Sequence, residues 1–111
     1  MNTWLVGFVV EIDGTEIMAY MLIQAESLEL AEAASMLMGC TWWPACQKND
    51  NGYRWIYSCG IIWFTSITLL DDGENSILRG LKFLDTWVIG GVPESPVIQD
   101  DYGNDWCDCR R

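Results

Sequence analysis

Apolar and polar positions alternate from Trp4 to Gln24 around a single break at Asp13-Gly14. A period of two sends successive side chains to opposite faces of a strand. Asp-Gly between two such runs predicts a two-residue hairpin turn, because both central residues need positive φ. Counting outward from the turn sets Ile12 opposite Thr15, Val10 opposite Ile17, Phe8 opposite Ala19, Val6 opposite Met21 and Trp4 opposite Ile23. That face is apolar apart from Thr15 and is the expected core face. The other face pairs Glu11 with Glu16, Val9 with Met18, Gly7 with Tyr20 and Leu5 with Leu22. Facing glutamates repel, so the turn end is expected in solvent. Leu5, Val9, Met18, Tyr20 and Leu22 make a second apolar strip. Either another element covers it or it forms the interface of a homodimer or larger homo-oligomeric module.

After Gln24 the period changes. Leu30, Ala33, Ala34, Leu37 and Met38 recur at helical spacing, with Glu29, Glu32 and Ser35 opposite. Ser27 is the expected N-cap and Gly39 the C′ residue, which predicts a helix over 28–38. Pro44 and Asn49-Asp50-Asn51-Gly52 are turn chemistry, with Thr41 to Gln47 a candidate short strand paired through that turn with Tyr53 onward. Tyr53 to Leu70 is rich in β-formers, broken at Ser58-Cys59-Gly60 into Tyr53–Ser58 and Ile61–Leu69. Asp71-Asp72-Gly73-Glu74 reads as an acidic turn. Asn75 or Ser76 then caps a second helix with Ile77, Leu78, Leu81 and Leu84 as its buried stripe.

These elements predict an α+β fold. An antiparallel sheet of four to five strands, opening with the N-terminal β-hairpin, carries two helices packed on one face, in the order ββα-ββ(β)α. Gly90-Gly91, Pro93 and Pro96 mark the expected end of packing. Residues 1–91 form the predicted domain, and 92–111 an acidic C-terminal tail or loosely docked arm.

Composition narrows the function classes. The 111 residues suffice for one domain with its own core. They hold 16 acidic against 6 basic residues, a net charge of −10, beyond the magnitude of about 2–8 that keeps a small domain soluble. Such a chain is ill suited to nucleic acid or anionic membrane, both of which need Lys and Arg. It suits a basic protein surface, including the nucleic-acid groove of a larger machine. Met1-Asn2-Thr3 lacks the basic start of an export signal, and Ile56 to Leu70 is too polar to span a membrane. A cytoplasmic protein with reduced thiols is therefore expected, in the host cytoplasm if a phage encodes it.

Candidate chemistry is sparse. The absence of His removes Ser–His and Cys–His nucleophiles and mixed Cys/His zinc sites. No phosphate-binding glycine pattern occurs. No enzyme activity and no cofactor are expected. An alternative is a small metal-binding or redox protein using Cys40, Cys46, Cys107 and Cys109, with Cys59 in a strand core. The usable features are two acidic clusters, Asp71, Asp72 and Glu74, and Asp100, Asp101, Asp105 and Asp108. Tyr102 and Trp106 are the candidate anchors beside them. Carboxylates two residues apart on an extended chain are separated by about 6.6–6.8 Å, comparable to phosphates along a DNA strand. The expected function is that of a non-enzymatic acidic inhibitor that blocks a basic partner surface. The profile of a small acidic domain without a catalytic set is shared by phage or mobile-element anti-defence proteins, anti-CRISPR proteins and DNA mimics included. That likeness is one of composition, with no motif behind it.

Overall fold

The Asp13-Gly14 turn forms as its residue types require. Asp13 has φ 50° and Gly14 φ 79°, and every cross-strand pair counted from the sequence is present, from Ile12 opposite Thr15 to Asn2 opposite Ala25. Strands β1 (Asn2–Ile12) and β2 (Thr15–Ala25) thus align Trp4, Val6, Phe8, Val10, Met21 and Ile23 as one buried face. In this computed structural model residues 1–39, 48–50 and 53–106 are described.

The remaining elements are α1 (Leu28–Met38), β3 (Lys48–Asp50), β4 (Arg54–Ile56), β5 (Gly60–Leu69), α2 (Asp72–Arg79), β6 (Thr86–Val92) and β7 (Ser95–Asp100). The fold is α+β, with one sheet ordered β3-β4-β5-β1-β2-β6-β7. Two expectations are corrected. The described residues form seven strands rather than four or five, and the sheet is mixed, because β6 runs parallel to β2 at Leu22–Gln24. The parallel pair is a consequence of the long connection from Leu70 to Asp85, which carries the chain from β5 past β1 and β2. A bulge at Thr65 shifts the register of β5 against β1, and the Thr65 hydroxyl donates to the Gly7 carbonyl at 3.1 Å.

Helix α1 covers the core face. Ser27 accepts the Leu30 N–H at 3.2 Å, as its residue type predicts for an N-cap. Its buried stripe is rotated from the expected one: Ser35 points inward with Leu30, Ala31, Ala34 and Met38, while Ala33 and Leu37 are half-buried. A buried hydroxyl is tolerated there because it donates to the Ala31 carbonyl at 2.8 Å. Gly39 is not a left-handed C′ residue, since its φ is −59°. Its reason is space: a Cβ would overlap the buried indole of Trp55. Trp55 in turn packs on Phe8, with ring centroids 6.0 Å apart. Cys59 is exposed in the turn between β4 and β5, not held in a strand core.

The second helix differs most from expectation. It starts at Asp72 and ends at Gly80, contributes no buried residue, and leaves Ile77 exposed. So only α1 packs on the sheet's core face. The supposed acidic turn is the first turn of α2, because Asp71 caps it more strongly than Asn75 or Ser76 can from within. The stretch from 92 is likewise built into the fold as far as Trp106. Val92 ends β6, β7 pairs with β6 from Trp87–Asp100 to Val92–Ser95, and Trp106 packs against the core. Gly91, at φ 77°, lies within β6 opposite Pro96, and Pro93-Glu94 make the tight turn into β7, so the residues expected to end the packing join two paired strands.

Because the Gly39 backbone lies on the Trp55 ring, Gly39→Ala is expected to destabilise the fold by about 1–3 kcal/mol through overpacking. The urea midpoint, compared with that of Gly90→Ala, where a Cβ would meet nothing within 4 Å, checks whether the cost is one of core space; a midpoint unchanged by Gly39→Ala would show that the Trp55 contact is not tight.

Candidate functional site

Three local motifs build the acidic end of the molecule. At the start of α2 the Asp71 carboxylate accepts the Glu74 N–H at 2.8 Å, and the Glu74 carboxylate accepts the Asp71 N–H at 3.0 Å. This reciprocal cap holds two carboxylates at the positive end of the helix, where negative charge is favoured. Asp72, beside them, is exposed and makes no hydrogen bond or ion pair among the described residues.

After β7 the chain reverses around Asp100. Its carboxylate accepts the Tyr102 N–H at 2.8 Å, the Asn104 N–H at 2.9 Å and the Asn104 side-chain amide at 3.2 Å. Gly103, at φ 84°, supplies the left-handed residue the reversal needs. The Asp100 carboxyl is held below the usual Asp range, chiefly by the Asn104 backbone N–H and also by the Asn104 side chain and the Tyr102 and Gly103 N–H groups. Asp105 accepts from the Gln99 side chain at 3.1 Å. The turn is therefore rigid, and it holds up Tyr102.

One ion pair joins the C-terminal end of α2 to the second cluster. The Arg79 guanidinium, at the end of α2, lies 3.7 Å from the Asp101 carboxylate. The eight residues of α2 span about 12 Å, so the Asp71 cap and the Asp101 turn share one end of the molecule. Beside the Asp101 turn lies an open cleft of about 380 Å³, lined by Arg79, Lys82, Asp85, Trp87, Asp101 and Tyr102 among others. Trp87 also packs against the core, and its indole N–H is buried without a hydrogen-bond partner among the described residues. This end also carries the three most exposed large hydrophobic side chains described: Tyr102 at 90%, Phe83 at 80% and Ile77 at 70%.

The chain matches no protein-family model, no curated protein and no solved structure. The acidic end is thus read from its own geometry.

Of the residues singled out in the sequence, Asp71, Asp72, Glu74, Asp100, Asp101, Asp105 and Tyr102 are described, and Arg79 ties Asp101 to the far end of the helix that Asp71 and Glu74 cap. Trp106 is turned to the core and lies half-buried, so less of its ring faces outward than an anchor would offer. Asp108 and the thiols of Cys40, Cys46, Cys107 and Cys109 lie outside the described residues; among those described, no cluster of three or more His, Cys, Asp or Glu could hold a metal ion. No described helix is long and apolar enough to cross a membrane. Sequence reading missed Ile77 and Phe83 as surface groups, because it extended α2 through Gly80 to Leu84. The signal was Gly80 itself, a natural helix end.

The second apolar strip is divided. Leu22 is fully buried, Leu5 and Val9 are half-buried, and Met18 and Tyr20 are exposed. Register adds Trp63 beside Val9, with the Arg54 guanidinium 5.3 Å from the centre of its ring.

The lowered Asp100 pKa has a definite sign. A carboxylate with a lower pKa folded than unfolded stabilises the turn above the usual Asp value, and that contribution is lost as pH falls through the lowered one. In an NMR titration the Tyr102 and Asn104 amides should report one midpoint below the usual Asp value. In Asp100→Ala that midpoint should vanish and both amides should exchange faster. Unchanged exchange would show that Asp100 does not hold the turn.

Proposed function

We propose that this protein is a non-enzymatic acidic binding protein that occupies a basic surface of a partner protein, in the manner of an anti-defence inhibitor of the anti-CRISPR or DNA-mimic type. The observation that carries the reading is the coincidence at one end of the molecule of two carboxylate clusters and the three most exposed hydrophobic side chains. Carboxylates alone would give weak, salt-sensitive attraction. Exposed aromatic and aliphatic groups among them provide the anchors on which interface energy concentrates. Tyr102 stands on a turn braced by Asp100, so little conformational entropy is lost when it is buried by a partner. Within this reading Asp72 and Asp101 face the partner's Lys and Arg, Tyr102 and Phe83 fill apolar recesses, and Asp71, Glu74 and Asp100 keep the frame in shape. A nucleic-acid-handling complex fits as partner because its groove is both basic and accessible.

The test begins with an extract of the native host passed over the immobilised protein and eluted with rising salt. The protein eluted is then titrated with two variants. The first is Asp71→Asn, Asp72→Asn and Glu74→Gln, which removes charge while keeping groups able to cap α2. The second is Asp101→Asn with Tyr102→Ala. Each is expected to raise the dissociation constant at least about tenfold, equivalent to about 1.4 kcal/mol, and wild-type affinity should fall steeply with salt. Affinity indifferent to both variants would refute the assignment.

A further inference from the structure

The hairpin projects beyond its neighbour. Strand β6 pairs with β2 only from Leu22 to Gln24, so the outer edge of β2 from Glu16 to Tyr20 meets no described strand. The direction of its backbone groups follows from the turn. In a two-residue hairpin the flanking pair, Ile12 with Thr15, is hydrogen-bonded, and bonded pairs then recur at every second residue. Ile17 and Ala19 therefore bond to β1, whereas Glu16, Met18, Tyr20 and Leu22 point their N–H and C=O groups outward. The bond from the Leu22 N–H to the Asp85 carbonyl, at 2.9 Å, shows this alternation directly.

Protected edges carry Lys, Pro, a bulge or a covering loop. Residues 15–20 have none of these among the described chain, and their one charge is Glu16 near the turn: the sequence is Thr-Glu-Ile-Met-Ala-Tyr, and the β1–β2 register is regular throughout. Beyond Thr15 and Glu16 the side chains are apolar on both faces, with Ile17 52%, Met18 51% and Tyr20 41% exposed. An unprotected apolar edge of this length is a template for another strand.

We propose that β2 pairs antiparallel with β2 of a second copy, about a two-fold axis at Met18. The edge is complementary to itself in this register. Met18 faces Met18, Ile17 faces Ala19, and Glu16 faces Tyr20. The two Glu16 residues then lie four residues apart along the strands, about 14 Å. That exceeds the Debye length of about 8 Å at physiological ionic strength. Shifting the axis to Ile17 would bring the glutamates to about 7 Å. Shifting it to Ala19 would set Glu16 against Leu22, whose outward N–H already belongs to Asp85. The free segment is thus symmetric about Met18 and about no other residue. On the face away from α1 the junction extends the row Trp63, Val9, Met18 through the axis into its mirror row. On the core face it covers Ile17. No Lys or Arg occurs before Lys48, so the hairpin strands themselves bring no basic group to the pairing.

Five residues per strand bury on the order of 1,000 Å² in total, the lower end for a specific interface. The dimer is accordingly a weak one. It is independent of the acidic end and responds to salt in the opposite sense. Two chains of net charge −10 associate better when salt screens them, whereas attachment to a basic partner weakens.

Sedimentation velocity over a micromolar-to-millimolar range, at low and high salt, should show monomer passing to dimer with rising concentration, and sooner at high salt. Hydrogen exchange should then slow for the Glu16, Met18 and Tyr20 amides at high concentration, while Ile17 and Ala19 stay protected throughout. Met18→Lys should raise the dissociation constant at least tenfold. Met18→Pro, which removes an outward N–H together with the axial side chain but no hydrogen bond to β1, should do the same; if it fails to fold, the exchange pattern of the wild-type chain still decides. A monomer at every concentration overturns the proposal. So does a dimer whose three outward amides exchange freely, or protection of those amides in a monomer, which would assign the edge to the chain's own remaining segments.

Discussion

Strand β1 is bonded on both sides, to β2 and to β5, and the positions of its side chains decide those of every layer around it. Because the pleat repeats every two residues, the Asp13-Gly14 turn determines at once which residues of β1 and β2 face α1. A slip of one residue would send Trp4, Val6, Phe8 and Val10 to the solvent side and Glu11 to the core. Gly7 adds a constraint of its own. A Cβ there would collide with the Ser66 hydroxyl and press on the Tyr20 ring, so the glycine lets three neighbouring strands approach closely at the centre of the sheet.

That frame leaves two unequal surfaces. The core face is sealed by α1 and by an aromatic line in which Phe8 touches both Trp55 and Phe64. The opposite face is closed over Leu22 yet open at Met18, Tyr20 and Trp63. The difference follows from where β6 begins. Its parallel pairing starts at Leu22, so one half of β2 is an interior strand and the other half an edge.

The acidic end is a product of the same long crossover. Helix α2 is capped by its own carboxylates and ends at Gly80, too short to bring Ile77 onto the sheet. The Asp100 turn is braced by hydrogen bonds to its own backbone, and Arg79 meets Asp101 across the gap. Much of the local negative charge is thus employed in capping and turning the chain. What remains presented is Asp72, the ion-paired Asp101, and the apolar groups Tyr102, Phe83 and Ile77 standing among them. Charge supplies attraction at range, and the apolar groups supply contact once that range is closed.

Local chemistry alone determined the hairpin, its register, helix α1 and the break before β5. Each depends on residues a few positions apart: positive φ at Asp13-Gly14, a cap at Ser27, a turn at Ser58-Cys59-Gly60. The inward rotation of Ser35 and the role of Gly39 needed Trp55 in place, because only packing against a distant ring makes a missing Cβ necessary. The length of α2 was legible in principle from Asp71 and Gly80, yet the apolar residues beyond Gly80 suggested a longer helix. The parallel β6, the strand made by residues taken for a tail, and the meeting of Arg79 with Asp101 were decided by tertiary structure alone. They join segments far apart in the chain, and no periodicity within either segment carries information about which edge of the sheet the other will find.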